Sequence, residues 1–218
     1  SEGLPRLLFV NKMDRENADF AGTVTEIKEK LSQQAVPLFW PIGAENEFSG
    51  IIDILGGKAY FLAEGKMTEG PVPTELAAAF EEVRQGTLET IAETDDALLN
   101  KYLEGNELTD AELYSALGKG IAKAELFPVF CGSAYRNIGV QQLLDGINAY
   151  VPSGAQRSVL GTDPRNEEPV ERAAGDPFSA LVFKTTADPF VGRLSFLRVF
   201  SGTLKPDGTL YNANKEKS

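Results

Sequence analysis

Leu7-Leu8-Phe9-Val10-Asn11-Lys12-Met13-Asp14 sets an apolar run directly against a polar loop. Residues 4–10 read as a short buried strand. Behind the loop 11–19, Phe20, Val24, Ile27 and Leu31 recur at helical spacing. Strand, loop and helix in that order open an α/β unit, where ligands sit at the carboxyl ends of the strands. Asn11-Lys12-Met13-Asp14 occupies that place.

The chemistry of a carboxylate there is specific. Guanine presents an N1 hydrogen beside an exocyclic N2 amine, with the O6 acceptor beyond. One carboxylate, at Asp14, can accept from both nitrogens in charge-assisted bonds. Adenine lacks that pair of donors, and a site built to bond them rejects it by on the order of 10⁴-fold or more. The Lys12 stem can lie along the base plane while its ammonium stays in water. The Asn11 amide can tie neighbouring loops together. The plain alternative is a polar loop after a strand; position at a strand end favours the base-binding reading.

A second element fits the first. Gly132-Ser133-Ala134 follows an apolar strand at 126–131 and precedes a helix at 140–150, with Leu143, Leu144 and Ile147 on one face. Alone the triplet is a weak signal, since most are turns. Here its small residues let the backbone approach a base. The Ala134 N–H can donate to O6, and Ser133 can hold the Asp14 carboxylate in place. Cys131 reads as a buried strand residue with nothing beside it to activate a thiolate, so no catalytic role is expected.

Between the two motifs the pattern changes. Strand-like runs fall at 36–42, 50–55 and 59–62, with Gly56-Gly57 turning between the last two. Three helices follow. The first starts behind Thr74 as N-cap and runs towards Glu93, weakened at Gly86. The second begins near Asp95 and stops at Gly105 in a left-handed cap. The third opens on the capping box Thr109-Asp110-Ala111-Glu112. Residues 152–175 mix Gly, Pro and charge without periodicity and read as a linker. Beyond it, 178–184 and 194–200 read as antiparallel strands joined through Asp188-Pro189-Phe190-Val191-Gly192, and Lys205-Pro206-Asp207-Gly208 marks another turn.

Composition removes whole classes of function. The 218 residues carry 21 Lys plus Arg against 32 Asp plus Glu, a net charge of −11, which argues against a basic face for nucleic acid. No sequence-specific contact to nucleic acid is expected. Apolar residues at 42 % and charged ones at 24 % allow a packed core. With no histidine, neither a serine triad nor a His-metal site can form. A single cysteine excludes a disulfide framework and a cysteine-based metal site. No apolar run of about eighteen residues exists, so no membrane span is expected. Ser1-Glu2-Gly3-Leu4-Pro5-Arg6 is not a signal peptide, and with the lone thiol it fits a reducing cytoplasm. The chain opens within a few residues of a strand, which predicts a piece of something longer. It contains no Gly-x-x-x-x-Gly-Lys-Ser/Thr, hence no phosphate cradle and no magnesium-binding hydroxyl of that type. Asp53-Ile54-Leu55-Gly56 matches the switch pattern Asp-x-x-Gly, yet it follows the base motif and reads as strand then turn, a decoy.

Phe9-Val10-Asn11-Lys12-Met13-Asp14-Arg15, Ile42-Gly43-Ala44-Glu45 and Cys131-Gly132-Ser133-Ala134-Tyr135 resemble bacterial translation elongation factor G. So do Asp176-Pro177-Phe178-Ser179-Ala180, Asp188-Pro189-Phe190-Val191-Gly192 and Phe200-Ser201-Gly202, in order and at compatible spacings across essentially the whole chain. The resemblance implies an α/β fold. Residues 1–152 would be the C-terminal part of a P-loop-type GTPase domain, interrupted by an inserted α+β subdomain at 36–125. Residues 153–174 would be a linker, and 175–218 the start of an antiparallel β-barrel second domain. It implies GTP or GDP as ligand, with Asn11, Lys12, Met13 and Asp14 binding guanine and Ser133 and Ala134 completing the pocket. Neither a catalytic residue nor a metal ligand is implied in this chain. The family's phosphate loop, switch regions, catalytic histidine and magnesium ligands lie upstream of Asn11. The piece alone is therefore expected to bind guanine nucleotide weakly and not to hydrolyse it. The full-length protein would hydrolyse GTP to GDP and phosphate on the ribosome and drive tRNA–mRNA translocation. Pro152-Ser153-Gly154, where the family more often has Pro-Ser-Pro, points to an elongation-factor-G-like paralogue.

From Glu64 to Glu112 there are thirteen Asp or Glu and three Lys or Arg, so nearly all the net charge sits in one stretch. A solvated helical face explains it simply. An electrostatic dock for a basic partner explains it as well, and the resemblance implies one, the ribosomal stalk protein. Two other readings stay open: a ribosomal-protection or release-factor GTPase, and a self-standing acidic interaction module that keeps the fold without binding nucleotide. The apolar runs 178–183 and 196–200 read as barrel core whose outer edges lack partners in this chain.

Overall fold

The computed structural model describes residues 3–156, 158–163 and 166–217. The opening apolar run is a strand only over β1, Leu8–Val10. Asp19 then caps α1, Phe20–Lys30, its carboxylate accepting the Gly22 N–H at 3.0 Å. Phe20, Val24 and Ile27 are buried on one stripe, and Leu31 falls past the helix end into solvent.

The strand expected at 36–42 is two strands. β2, Ala35–Pro37, and β3, Phe39–Ile42, meet at Leu38, where the chain leaves one sheet for another. Pro37 has no N–H with which to continue a ladder. β3 pairs antiparallel with β4, Gly50–Asp53, which pairs with β5, Lys58–Ala63, and that with β6, Lys66–Gly70. The last strand has no apolar alternation, so the sequence does not announce it.

Three helices follow, α2 (Ala77–Ala92), α3 (Asp96–Leu103) and α4 (Asp110–Ala122). Thr74 does not cap the first; it opens a single 3₁₀ turn, Thr74–Leu76, without a side-chain cap. The other two start as the sequence predicts. Asp95 accepts the N–H groups of Ala97 and Leu98 at 3.0 and 3.3 Å, and Thr109 and Glu112 form a reciprocal capping box. Gly105 ends α3 at φ +78°, left-handed backbone that suits glycine. Glu81, Glu82, Glu89 and Glu93 all face solvent.

Lys101 reaches across from α3 and donates to both Glu112 oxygens, at 2.9 and 2.8 Å. Lys101 first, then Thr109, pull the Glu112 carboxyl down to about 2 from an ordinary 4.5. A carboxyl depressed in the folded state stabilises it above its unfolded pKa, and that stabilisation is lost as pH falls through the folded value. The α3–α4 junction should therefore weaken as pH drops from about 4.5 towards about 2. Carboxyl-resolved NMR titration should find Glu112 titrating well below the other glutamates, and Lys101→Met should return it to the ordinary range; an unchanged midpoint in that variant contradicts the assignment.

β7, Phe127–Cys131, returns to the first sheet and lies between β1 and β2, parallel to both. α5, Val140–Tyr150, follows. Its buried face is not the one expected. Leu143 packs on the core and Gly146 is closed against Phe130, whereas Leu144 is 50 % exposed and Ile147 also faces out. One core joins Val36, Ile91, Leu117, Ile121, Leu126 and Phe130. A second joins Met13, Phe20, Phe48, Ile51, Val129 and Ile138, directly beneath the loops at the sheet's carboxyl end.

The chain divides into two units, Ser1–Val151 and Pro152–Ser218. In the second, the stretch read as a linker holds a hairpin, β8 (Val159–Thr162) with β9 (Pro169–Arg172). β10, Ser179–Asp188, and β11, Gly192–Ser201, pair antiparallel through the expected turn. Asp188 fixes that turn by accepting the N–H groups of Phe190 and Val191 at 2.8 and 2.9 Å. Leu181, Val182, Phe183 and Phe196 are exposed on this two-stranded sheet rather than enclosed, Phe183 at 65 %. Unpaired apolar edges promote self-association. Sedimentation velocity should show a weight-average mass that rises with concentration, and Phe183→Lys should reduce the rise; a sharp monomer at high concentration contradicts it.

Candidate functional site

The two motif loops leave the carboxyl ends of adjacent strands. Val10 of β1 lies in register with Cys131 of β7, so the chain emerges side by side at Asn11 and Gly132. Backbone bonds then lace the loops together. Gly132 N–H donates to the Val10 carbonyl and Met13 N–H to the Gly132 carbonyl, both at 3.1 Å. Asn11 ties them as its amide chemistry predicts: its Oδ1 accepts from Lys12 N–H at 2.8 Å and from Ala134 N–H at 2.9 Å. That second bond differs from the expected role, since the Ala134 N–H is already held by Asn11.

Met13 is 2 % exposed and belongs to the core beneath the loop, so its side chain anchors rather than lines. Lys12 is exposed, with left-handed backbone at φ +66°. Gly132 is small for a packing reason: a Cβ there would strike the Ile138 carbonyl and stand 2.9 Å from the Phe9 ring. Ser133 is fully buried and closes its own loop, exchanging 3.0 Å backbone bonds with Ile138, while its hydroxyl accepts from Arg136 N–H at 3.1 Å.

Asp14 and Ser133 come together. The Ser133 hydroxyl is the main influence holding the Asp14 carboxyl below its ordinary range. It acts against burial, with help from backbone N–H and from the Arg15 and Arg136 guanidiniums. The Asp14 side chain is 10 % exposed, and its Oδ1 is buried without a hydrogen-bond partner. A buried ionised oxygen lacking a donor costs free energy unless a ligand supplies one. Arg15 and Tyr135 lie exposed beside Asp14 and Ala134, the guanidinium 5.8 Å from the ring centroid; both stood in quoted stretches without a role.

Asp53 has the turn-forming place expected of a decoy, its Oδ1 accepting Leu55 and Gly56 N–H at 3.1 and 2.9 Å. Two cavities lie elsewhere, about 220 Å³ beside Lys101 and Glu112 and about 180 Å³ beside Asp53 and Tyr150. Among the described residues no group of three or more His, Cys, Asp or Glu side chains is gathered to hold a metal ion. No helix among them is long and apolar enough to cross a membrane.

Residues 1–153 match the family model of the elongation factor Tu GTP-binding domain, and 177–218 that of elongation factor G domain 2. A crystal structure of a protein from Thermus thermophilus is similar over 96 % of this chain, at 34 % identity and a TM-score of 0.76. The match spans 29 % of that longer chain. With the paired loops at the sheet's carboxyl edge and an antiparallel domain after them, the chain belongs to the elongation factor Tu GTP-binding domain family and corresponds to part of an elongation-factor-G-like translational GTPase.

Proposed function

We propose that this chain holds the guanine end of GTP or GDP. Asp14 accepts N1–H and the N2 amine, the Lys12 stem covers the base, and the Ser133–Ala134 loop, braced by the bond from Ala134 N–H to Asn11, borders the O6 edge. Met13 acts from below by anchoring the loop. The observation that carries this reading is the Asp14 carboxylate: kept ionised beside Ser133, with one buried oxygen that no protein donor satisfies. Phosphoryl transfer needs a phosphate cradle and a magnesium ion, and the sequence has no such cradle. The 218-residue chain should bind weakly and leave GTP intact. Amide-resolved NMR should show GDP, and not ADP, shifting the signals of residues 11–15 and 133–135; equal shifts with ADP contradict it.

The full-length protein is proposed as a ribosome-bound GTPase acting in the cytoplasm at tRNA–mRNA translocation. Its exposed acidic helices would meet the stalk protein. Reversing Glu81, Glu82, Glu89 and Glu93 together should slow stalk association by about tenfold at low salt, because steering fields act on the on-rate. An unchanged stopped-flow rate removes the stalk from the proposal.

A further inference from the structure

One segment of the four-stranded sheet grips both base-binding loops. The connection from β3 to β4 runs through Gly43, Glu45 and Phe48. Glu45 N–H donates to the Met13 carbonyl at 2.9 Å, and Glu45 Oε1 accepts the Asn17 N–H at 2.7 Å. From the other loop, Arg136 Nη1 donates to the Phe48 carbonyl at 2.7 Å, and Phe48 is itself fully buried. Arg136 also donates its backbone N–H to Ser133 Oγ, the hydroxyl that faces Asp14. Three directional bonds therefore run from this one connection to the two loops.

The backbone is strained at the same place. Lys12, Asn17, Glu45 and Asn137 take φ of +66°, +63°, +55° and +57°, four of the nine non-glycine residues with positive φ among those described. A side chain at Gly43, itself at φ +74°, would run into the Glu47 carbonyl. Such conformations persist where surrounding bonds over-determine them, and they gather at sites whose geometry matters.

We infer that Glu45 and Arg136 are positioning residues for guanine recognition, and that the β3–β4 connection couples the base-binding loops to the four-stranded sheet. The inference rests on the guanine reading above. Coupling in binding is reciprocal: nucleotide should order the connection, and a partner that moves the sheet should alter nucleotide affinity.

The test uses the full 218-residue chain. Glu45→Ala removes the acceptor for Asn17, while Glu45→Gln keeps a carbonyl oxygen in its place. Calorimetry should show GDP affinity falling about tenfold or more in Glu45→Ala, from the loss of one bond to a charged acceptor, with most of it restored in Glu45→Gln. In the parent chain, GDP should slow hydrogen exchange at residues 43–52, and Glu45→Ala should abolish that protection. Equal GDP affinity in Glu45→Ala, or unchanged exchange at 43–52, overturns the inference. If the parent chain shows no guanine-selective binding, the guanine reading has failed, and exchange at the Asn17 amide without nucleotide then judges the connection. Faster exchange in Glu45→Ala than in Glu45→Gln supports positioning by Glu45; equal exchange overturns it.

Discussion

Asp14→Asn should abolish GDP binding and create binding of xanthosine diphosphate. The carboxylate offers two acceptors to two donors on guanine. An amide in its place offers one acceptor and one donor, so its NH₂ meets the guanine N2 amine, donor against donor. Xanthine carries a carbonyl oxygen at that position and keeps the N1 hydrogen, so it pairs with the amide at both places. Sites that must bond a polar group discriminate by on the order of 10⁴-fold, and the buried, unpartnered Oδ1 makes Asp14 such a site. Calorimetry of both nucleotides against both proteins reads the exchange. Loss of GDP binding without gain of the xanthine nucleotide would mean that Asp14 supports the loop and does not touch the base.

The second large effect is on stability. Phe130 is 1 % exposed on the central strand of the parallel sheet. It stacks on Phe39 with centroids 5.4 Å apart and fills the space left by Gly146 on α5. Phe130→Ala removes all these contacts and leaves a cavity that strand and helix cannot close. Such substitutions cost about 3–5 kcal/mol, against a total of about 5–15 kcal/mol for a domain. Trp40, the one tryptophan of the chain, lies in the first unit, its ring and that of Phe20 edge to face at 5.1 Å, so its fluorescence follows that unit. Urea unfolding followed at Trp40 should show the midpoint fall steeply in Phe130→Ala, while Leu144→Ala on the exposed face of α5 changes stability by less than about 1 kcal/mol. Equal losses in the two variants would place the core of α5 on the wrong face.

What was legible in the sequence follows physical rules of short range. The loop at Asn11–Asp14 announced itself because an apolar strand stops abruptly against polar residues. Asp95, Thr109 with Glu112, and Gly105 announced helix ends because capping depends on residues three or four apart. The contact between Asp14 and Ser133 was legible only through the chemistry of one base, since nothing local joins positions so far apart. The sheet switch at Leu38 was hidden because both strands are apolar and adjacent. β6 and the β8–β9 hairpin were hidden because their faces are mostly polar, and pairing rather than burial defines them. α5 misled because Leu143, Leu144 and Ile147 do share a face by spacing, yet Phe130 packs on Gly146, the smallest neighbour, and Leu144 and Ile147 turn out. The bond from Ala134 to Asn11 shows that a donor deduced from a motif can already have a partner. Glu45 stood in a quoted motif without a role, because its bonds to Met13 and Asn17 depend on a tertiary fold that no spacing encodes.

Calorimetric titration of the chain with GDP, inosine diphosphate and ADP under one buffer would decide whether Asp14 reads a base. Saturable heat is predicted for GDP, weaker heat for the inosine nucleotide, which keeps N1–H and lacks the N2 amine, and none for ADP. The same heat with all three, or with none, would contradict a guanine site at Asp14 and Ser133.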